Sequence, residues 1–349
     1  MSHEPKNVCI VLLTGLGDVV HGLPIANALV DSGFAHTITW VAEPVPARVL
    51  QAHPSVHNLI VYHKKKGWAG VRELTRDLRG PFDVTLNLNV YFKSVWPTVL
   101  SNAARRVGFD RRRSHEGVWL FSNEHLPPNP RAHTQDMFLE FLDVLGIARP
   151  PLEWRITFTD AERDAQKSWF SALPDRPVVA LVPASANPKK DWLPDRYARV
   201  IDALVSDFRA QPVVVGGPSA REREIVEQIK AATDTKFPVE LNDDVRRMMW
   251  LVAGSSLVIA PDTGPVHIAR ACTVPVIGLY GHTNPWRVGP YRLYQDLWVD
   301  RYTEPGTEPD ASNATPKLGR MELITVEDVL SRVQRAFDEG FVTPPRALR

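Results

Sequence analysis

The sequence predicts an α/β protein made of two Rossmann-like domains that face each other across a cleft. Short apolar runs rich in β-branched residues alternate with amphipathic segments, which is the pattern of parallel strands covered by helices. This alternation begins again in the second half of the chain. At 349 residues, the chain is also longer than one hydrophobic core usually organises, which favours two domains.

The first half carries the pattern of one complete domain. Its predicted strands are 8–14, 37–41, 59–62 and 84–88, and its predicted helices are 23–30, 71–78 and 134–145. A proline cluster precedes the last of these helices, and Gly146, Pro150 and Pro151 follow it. We therefore expect an N-terminal domain of residues 1–155 and a C-terminal domain of residues 156–349.

The second half repeats the scheme with a second open sheet. Its predicted strands are 178–182, 212–215, 257–260 and 274–279, and its predicted helices are 196–207, 221–232 and 326–337. Residues 304–317 are rich in proline, threonine and aspartate, which is typical of an irregular surface loop.

Composition narrows the class of protein. Lysine and arginine total 41 and aspartate and glutamate total 40, so there is no overall electrostatic attraction for nucleic acid, and we expect no nucleic-acid partner. Two cysteines exclude a disulfide framework or a cysteine-rich zinc site. Without a signal-peptide pattern or an apolar run of bilayer length, we expect a cytoplasmic protein whose membrane contact is at most peripheral.

Three segments that follow predicted strands are the candidate functional site, because ligands bind at the carboxyl ends of strands in open α/β sheets. They are residues 14–18 (TGLGD), 183–190 (PASANPKK) and 261–267 (PDTGPVH). In the first, Gly15 and Gly17 permit a tight turn and close approach to a ligand. Asp18 is either the N-cap of the next helix or a catalytic carboxylate. A dinucleotide fingerprint is incomplete, since Val20 stands where the third glycine belongs.

The other two segments suit an anionic ligand. Thr263 and Gly264 open a helix after a buried strand, so their backbone N–H groups form an anion site. Asp262 would repel a diphosphate, so it is expected to bind sugar hydroxyls or to cap the helix, and His267 is expected to be a packed histidine. Ser185 and Lys190 suit phosphate oxygens, with an ordinary solvated lysine as the alternative.

Two blocks of sequence are similar to the ADP-heptose:lipopolysaccharide heptosyltransferases, glycosyltransferase family nine, which adopt the two-domain GT-B fold. Residues 258–269 (VIAPDTGPVHIA), 275–281 (PVIGLYG) and 283–285 (TNP) resemble the donor-site block of that family. Residues 17–24 (GDVVHGLP) resemble its N-terminal signature, with weaker similarity at Lys93-Ser94 and at 190–192 (KDW). The similarity runs along most of the chain.

The resemblance implies an inverting transfer in which Asp18 is the general base that takes the proton from the acceptor hydroxyl. A carboxyl group with an ordinary pKa near ~3.9 is ionised at neutral pH and needs no tuning for this role. The residues that the resemblance places at the nucleotide-sugar donor are Ser185, Lys190, Glu222, Asp262, Thr263, Gly264, His267 and Thr283. Among these, Glu222 would hold a ribose hydroxyl, with a solvated helix start as the alternative.

Metal and cofactor are not expected, because positive charge and helix amides would stabilise the leaving nucleotide diphosphate and no Asp-x-Asp motif is present. The substrate is then ADP-heptose or another nucleotide-diphosphate sugar. The sequence departs from the family pattern at Asn87 and Asn89, where the acceptor contacts are expected to differ, and at Ala186 and Asn187-Pro188 in the phosphate loop.

The acceptor is expected to be an anionic glycolipid or glycan at the inner membrane. Basic residues of the first half are interspersed with Trp68, Tyr91, Phe92 and Trp96. The predicted acceptor-binding residues are Gly15, Gly17, Lys64, Lys93, Arg111 and Arg113. A solvated charged surface is the alternative. Two other functions stay open: transfer of a different nucleotide sugar, and a catalytically silent sugar-nucleotide-binding protein.

Overall fold

The computed structural model describes residues 4–343 and divides the chain into two compact units, which meet in sequence between Thr157 and Phe158. Each unit contains one parallel six-stranded sheet with helices packed on it. The strands of the first unit are β1 (Lys6–Val11), β2 (Ala35–Ala42), β3 (Asn58–Val61), β4 (Val84–Asn87), β5 (Arg105–Gly108) and β6 (Glu124–His125). They lie in the order β3-β2-β1-β4-β5-β6.

The first four helices of this unit connect strands β1 to β5, as crossover connections require, and the fifth helix follows β6. They are α1 (Leu16–Asp31), α2 (Pro44–Ala47), α3 (Trp68–Asp77), α4 (Val95–Leu100) and α5 (Thr134–Val144). Short 3-10 turns occupy residues 48–50, 64–66, 92–94 and 118–121.

Helix α1 begins at Leu16, seven residues before the start that the sequence pattern predicted. The apolar pattern indicated residues 23–30, whereas the N-cap alternative for Asp18 already implied an earlier start. Glycine weakens a helix interior, so Gly22 is locally unfavourable in α1. In the structure a Cβ at Gly22 would lie 2.7 Å from the Trp40 ring. Glycine is therefore required there for α1 to pack against β2, and this tertiary contact outweighs the local preference.

The second unit has the same architecture. Its strands are β7 (Val178–Leu181), β8 (Gln211–Gly216), β9 (Val239–Leu241), β10 (Leu257–Pro261), β11 (Val276–Tyr280) and β12 (Val299–Asp300), in the order β12-β11-β10-β7-β8-β9. Its helices are α6 (Asp160–Ser171), α7 (Pro194–Ser206), α8 (Ala220–Ala231), α9 (Val245–Gly254), α10 (Gly264–Ala271), α11 (Pro285–Val288) and α12 (Val326–Asp338).

The core of the second unit lies between the sheet and helices α7 and α12. Val179, Leu181 and Ile259 of the central strands are fully buried there, together with Tyr197 of α7 and Val333 of α12. The predicted irregular loop 304–317 is confirmed, since it contains no helix or strand. Within residues 4–343, no helix is both long enough and apolar enough to cross a bilayer.

The sequence pattern missed four strands, namely β5, β6, β9 and β12. All four lie toward the sheet edges and are two to four residues long. Strand β5 begins with two arginines, which the apolar pattern of a buried strand does not include. Arg105 is accommodated because it pairs with Glu124 of β6 at 2.9 Å, and Arg106 because its guanidinium donates to the Ala103 carbonyl at 2.9 Å. The predicted α/β class with two Rossmann-like domains is confirmed.

Arg113 has a structural position, and the prediction that it binds the acceptor is wrong. Its guanidinium is 2% exposed and lies between two carboxylates, with Nε 2.5 Å from Asp110 and Nη1 2.8 Å from Glu140. Nη2 donates to the Pro127 carbonyl at 2.7 Å. These contacts join the loop after β5 to helix α5, so the side chain is not available to a ligand.

Replacing Arg113 by alanine should destabilise the protein by about 3–5 kcal/mol, because Asp110 and Glu140 would remain buried without their cation. Urea unfolding followed by tryptophan fluorescence measures the change. Arg112→Ala is the matched control, since its side chain is exposed, and it should change stability by less than about 0.5 kcal/mol. Equal effects of the two substitutions would contradict the assigned role of Arg113.

Candidate functional site

The predicted site segments lie where each sheet reverses its strand order. In the first unit the order reverses between β1 and β4, and in the second unit between β7 and β10. The loops at these points diverge to opposite faces of the sheet and leave a crevice at the carboxyl ends of the strands. Asp18 and Lys93 follow β1 and β4, whereas Lys190 and Asp262 follow β7 and β10.

Asp18 is exposed and is the third residue of α1, whose N-cap residue is Gly15. The interpretation of Asp18 as the N-cap is therefore wrong. Gly15 has a φ of 84°, and a Cβ there would lie 2.4 Å from Asp18 Oδ2. Glycine at position 15 therefore makes both the turn out of β1 and the placement of this carboxylate possible.

Two lysines lie at the same edge of the first sheet. The Lys93 ammonium donates a hydrogen bond to the Thr14 hydroxyl. The Lys64 ammonium lies 3.1 Å from a carboxylate oxygen of Glu43. Partial burial lowers the pKa of Lys93; the carboxylates of Glu43 and Asp18 oppose this effect, while the charge of Lys64 adds to it. Lys93 therefore loses its charge at a lower pH than an ordinary lysine.

Glu43 is a member of this cluster that the sequence did not indicate. It directly follows β2, and its neighbours Lys64 and Asp18 follow β3 and β1. Its position after a buried strand is the signal that could have identified it. Together, Glu43, Asp18 and the two lysines form a mixed-charge edge suited to a polar, anionic ligand.

The other predicted acceptor positions have different surroundings. Arg111 is exposed, with its guanidinium 5.6 Å from the Trp119 ring centre. Asn87 and Asn89 are buried and bind backbone or each other: Asn89 Nδ2 donates to the Val11 carbonyl at 2.8 Å, and Asn89 N–H donates to Asn87 Oδ1 at 3.1 Å. The two asparagines thus tie β4 to β1 at the point of strand reversal.

In the second unit, Lys190 and Asp262 form an ion pair of 2.6 Å across the two strands that flank the reversal. Asp262 is buried, and His267 Nε2 lies 3.8 Å from its other oxygen. Burial by itself would raise the pKa of Asp262, but the contact with His267 and the charge of Lys190 outweigh it and hold that pKa well below its ordinary value. Asp262 is therefore ionised and orients the Lys190 ammonium.

The loop 185–191 is held by contacts that the sequence did not indicate. Ser185 N–H donates to Asp191 Oδ1 at 2.8 Å, and Arg221 of α8 binds both the Asp191 carboxylate and the Ser185 carbonyl. The Ser185 hydroxyl donates to the Asn187 carbonyl at 2.7 Å. The Ser185 hydroxyl therefore already donates its hydrogen bond within the loop. To donate to a phosphate instead, Ser185 would have to break this bond.

The amino end of α10 lies directly after Asp262. Thr263 is its N-cap residue, Gly264 is its first residue, and no side-chain oxygen caps its amides. The end of this helix therefore carries partial positive charge beside the Lys190 ammonium. Thr283 lies in the loop after the neighbouring strand β11 and is partly exposed.

Glu222 closes a capping box at the start of α8. Its carboxylate accepts hydrogen bonds from the backbone N–H of Ser219 at 3.3 Å and of Gly217 at 2.7 Å, and from the Ser219 hydroxyl. These contacts agree with the alternative that Glu222 belongs to the start of a helix. A ribose hydroxyl would have to compete with them for the Glu222 carboxylate. Among residues 4–343, no group of three or more metal-ligating side chains is brought together.

Comparison with known proteins shows which family this chain matches. The family model described as "Glycosyltransferase family 9 (heptosyltransferase)" matches residues 71–312. The "Lipopolysaccharide core heptosyltransferase OpsX" of Haemophilus influenzae is 29% identical over 345 residues, covering 96% of this chain and 98% of that protein.

Solved structures show the same fold. A glycosyl transferase family 9 structure from Veillonella parvula has a TM-score of 0.80 at 22% identity, covering 97% of this chain and 99% of its own. The E. coli heptosyltransferase WaaC with ADP-2-deoxy-2-fluoro heptose has a TM-score of 0.69 at 21% identity, covering 94% and 99%. The family match does not extend to Asp18 or Lys64.

Asp262→Asn tests the buried ion pair. Because the pKa of Asp262 is lower in the folded than in the unfolded chain, its stabilising effect is complete above about pH 4 and is lost as the pH falls further. The variant should be about 2–4 kcal/mol less stable than the wild type at pH 7. This difference should shrink by about 1 kcal/mol at pH 3.

Urea unfolding at a series of pH values measures this difference. Asp175→Asn is the control, because Asp175 is an exposed carboxylate of the same unit. A gap between wild type and Asp262→Asn that stays constant down to pH 3 would refute the ionised pair.

Proposed function

The chain belongs to glycosyltransferase family 9, the heptosyltransferase family, and on that premise we propose that it transfers heptose from ADP-heptose to a lipopolysaccharide core acceptor. It is a glycosyltransferase. The proposed sugar and acceptor are supported by the lipopolysaccharide core heptosyltransferase relative and by the fold shared with an enzyme solved with an ADP-heptose analogue.

The observation that carries this proposal is the exposed Asp18 carboxylate at the strand reversal of the first unit, beside Lys93 and Lys64. We assign the first unit to the acceptor and the second to the donor. The lysines, together with Arg111, would hold anionic groups of the acceptor, so that one hydroxyl lies against Asp18. In the second unit, Lys190 and the amides of α10 would hold the diphosphate.

In the proposed reaction, Asp18 accepts the proton of the acceptor hydroxyl while that oxygen forms a bond to the anomeric carbon. The bond between the anomeric carbon and the diphosphate oxygen breaks, and its electron pair leaves with ADP, with inversion at the carbon. The Lys190 ammonium, oriented by Asp262, and the partial charge of α10 stabilise the negative charge that develops on ADP. This is the role that a metal ion plays in other transferases, and we propose that transfer proceeds without one.

We further propose that the enzyme works at the cytoplasmic face of the inner membrane, where a lipid-linked acceptor would be presented. The basic residues of the first unit support this placement, since anionic lipid and anionic acceptor attract the same cations.

Asp18→Asn should lower the turnover number about 10²–10⁴-fold, because the amide cannot accept the proton. Affinity for ADP-heptose should change less than about twofold, since Asp18 is placed on the acceptor. Transfer of labelled heptose in the presence of EDTA, together with calorimetric titration of the donor, measures both quantities. A variant that keeps wild-type turnover would remove Asp18 from the mechanism, and full dependence on added metal would overturn the metal-free step.

Lys190→Ala should weaken ADP and ADP-heptose binding about 10–100-fold, through loss of a charged phosphate contact. Lys189→Ala is the matched control, because Lys189 is exposed and adjacent in sequence. Calorimetry with ADP, UDP, GDP and ADP-heptose makes the comparison. Unchanged affinity in Lys190→Ala would refute the phosphate role, and wild-type preference for UDP or GDP would assign the enzyme to another sugar nucleotide.

A further inference from the structure

A patch of exposed aromatic side chains lies next to the two acceptor-site lysines. Among residues 4–343, the strongly exposed phenylalanine, tyrosine and tryptophan side chains are Trp68, Tyr91, Phe92 and Trp96, with exposed fractions of 72%, 49%, 46% and 37%. Large aromatic side chains are usually buried, and a contiguous group at the surface marks an interaction site. We call Trp68, Phe92 and Trp96 the aromatic patch.

The aromatic patch is continuous across several elements. The Trp68 ring on α3 packs edge to face on Trp96 of α4, with centres 5.5 Å apart, and the Phe92 ring lies 5.9 Å from Phe121. Val99 and Leu120, on α4 and the turn 118–121, are 43% and 64% exposed and extend the apolar surface. The patch also lines an open cavity of about 290 Å³.

Cations surround this surface. Lys64 and Lys93 line the same cavity as the patch, while Lys65, Arg72 and Arg111 are exposed on the turn 64–66, on α3 and after β5. Carboxylates nearby are engaged in the structure: Glu43 pairs with Lys64 at 3.1 Å, Glu73 pairs with Lys66 at 2.8 Å, and Glu116 accepts the Phe92 N–H at 2.9 Å. The surface therefore combines exposed rings with a basic border.

This combination matches a bilayer of anionic phospholipid better than a protein groove. Tryptophan and phenylalanine rings are favoured at the boundary between headgroups and acyl chains, and lysine and arginine are attracted to anionic headgroups. A single surface of this kind supplies the apolar region for the rings and the phosphates for the border. A protein partner would have to supply both separately.

We propose that the aromatic patch inserts into the surface of an anionic phospholipid bilayer and so holds the first unit against the membrane. The purpose of the insertion rests on the proposed function: it would bring Asp18 to an acceptor embedded in that membrane. The insertion itself is a property of Trp68, Phe92, Trp96 and the basic border.

Co-sedimentation of the full-length protein with phosphatidylcholine vesicles, with and without phosphatidylglycerol, tests the insertion. The wild type should bind the vesicles that contain phosphatidylglycerol, and a W68A/W96A double variant should bind them at least ~10-fold more weakly. Leu318→Ala with Leu323→Ala is the matched control, because these apolar side chains of the second unit are 69% and 49% exposed. The control should bind as the wild type does.

Vesicle binding that is equal in wild type and W68A/W96A, or absent in both, would overturn the proposal. A variant that loses self-association in analytical ultracentrifugation while keeping vesicle binding would overturn it in favour of a second copy of the chain as the occupant.

A water-soluble acceptor without acyl chains separates this inference from the proposed function. At a saturating concentration of this acceptor, the W68A/W96A variant should reach the wild-type turnover number, since the two rings are not part of the chemical step. If the wild type itself fails to transfer heptose to this acceptor, the proposed function fails, whereas the vesicle result still decides the insertion.

Discussion

Reversal of strand order in each parallel sheet is the constraint on which the site depends. Two neighbouring parallel strands can be joined only by a crossover connection. Where the strand order reverses, the crossovers from two adjacent strands run to opposite sides of the sheet and leave a crevice at the carboxyl ends of those strands. The chain meets this constraint between β1 and β4 and again between β7 and β10. This constraint places both Asp18 and Lys190, although Asp18 follows a glycine turn and Lys190 follows a loop that contains proline.

The two reversal points hold charge in different ways. In the second unit the carboxylate of Asp262 is buried, and it is stable as an anion because Lys190 is 2.6 Å away. Such a pair preorganises one ammonium at the end of α10, where a diphosphate would meet both. In the first unit Asp18 is exposed, as the proposed base that meets an incoming hydroxyl must be. These environments match a fixed electrostatic site in one unit and a reactive base in the other.

The surface around Asp18 in the first unit also combines charged and aromatic side chains. The lysines near Asp18 share a cavity with Trp68 and Trp96, so the same edge of the unit offers contacts to an anionic sugar and to an apolar phase. A contiguous group of exposed aromatic rings marks an interaction surface. Bilayer insertion would cover these rings and would bring a lipid-linked acceptor to the base without a separate docking step.

The sequence by itself determined the fold class, the central strands and the segments that follow the strands at the two reversals. This was possible because buried parallel strands are continuous apolar runs and because segments 14–18, 183–190 and 261–267 directly follow such runs. The strands β5, β6, β9 and β12, which lie at or next to the sheet edges, were not predictable, since they are short and partly polar and are stabilised by pairing with a neighbour.

Only the tertiary structure decided which side chains meet. Arg112 and Arg113 are adjacent in sequence, yet one is exposed and the other is buried between Asp110 and Glu140. Likewise, the partner of Lys190 is 72 residues away. Spacing along the chain carries information about local backbone geometry, whereas an ion pair depends on which strands the sheet brings side by side, and that arrangement is a property of the whole domain.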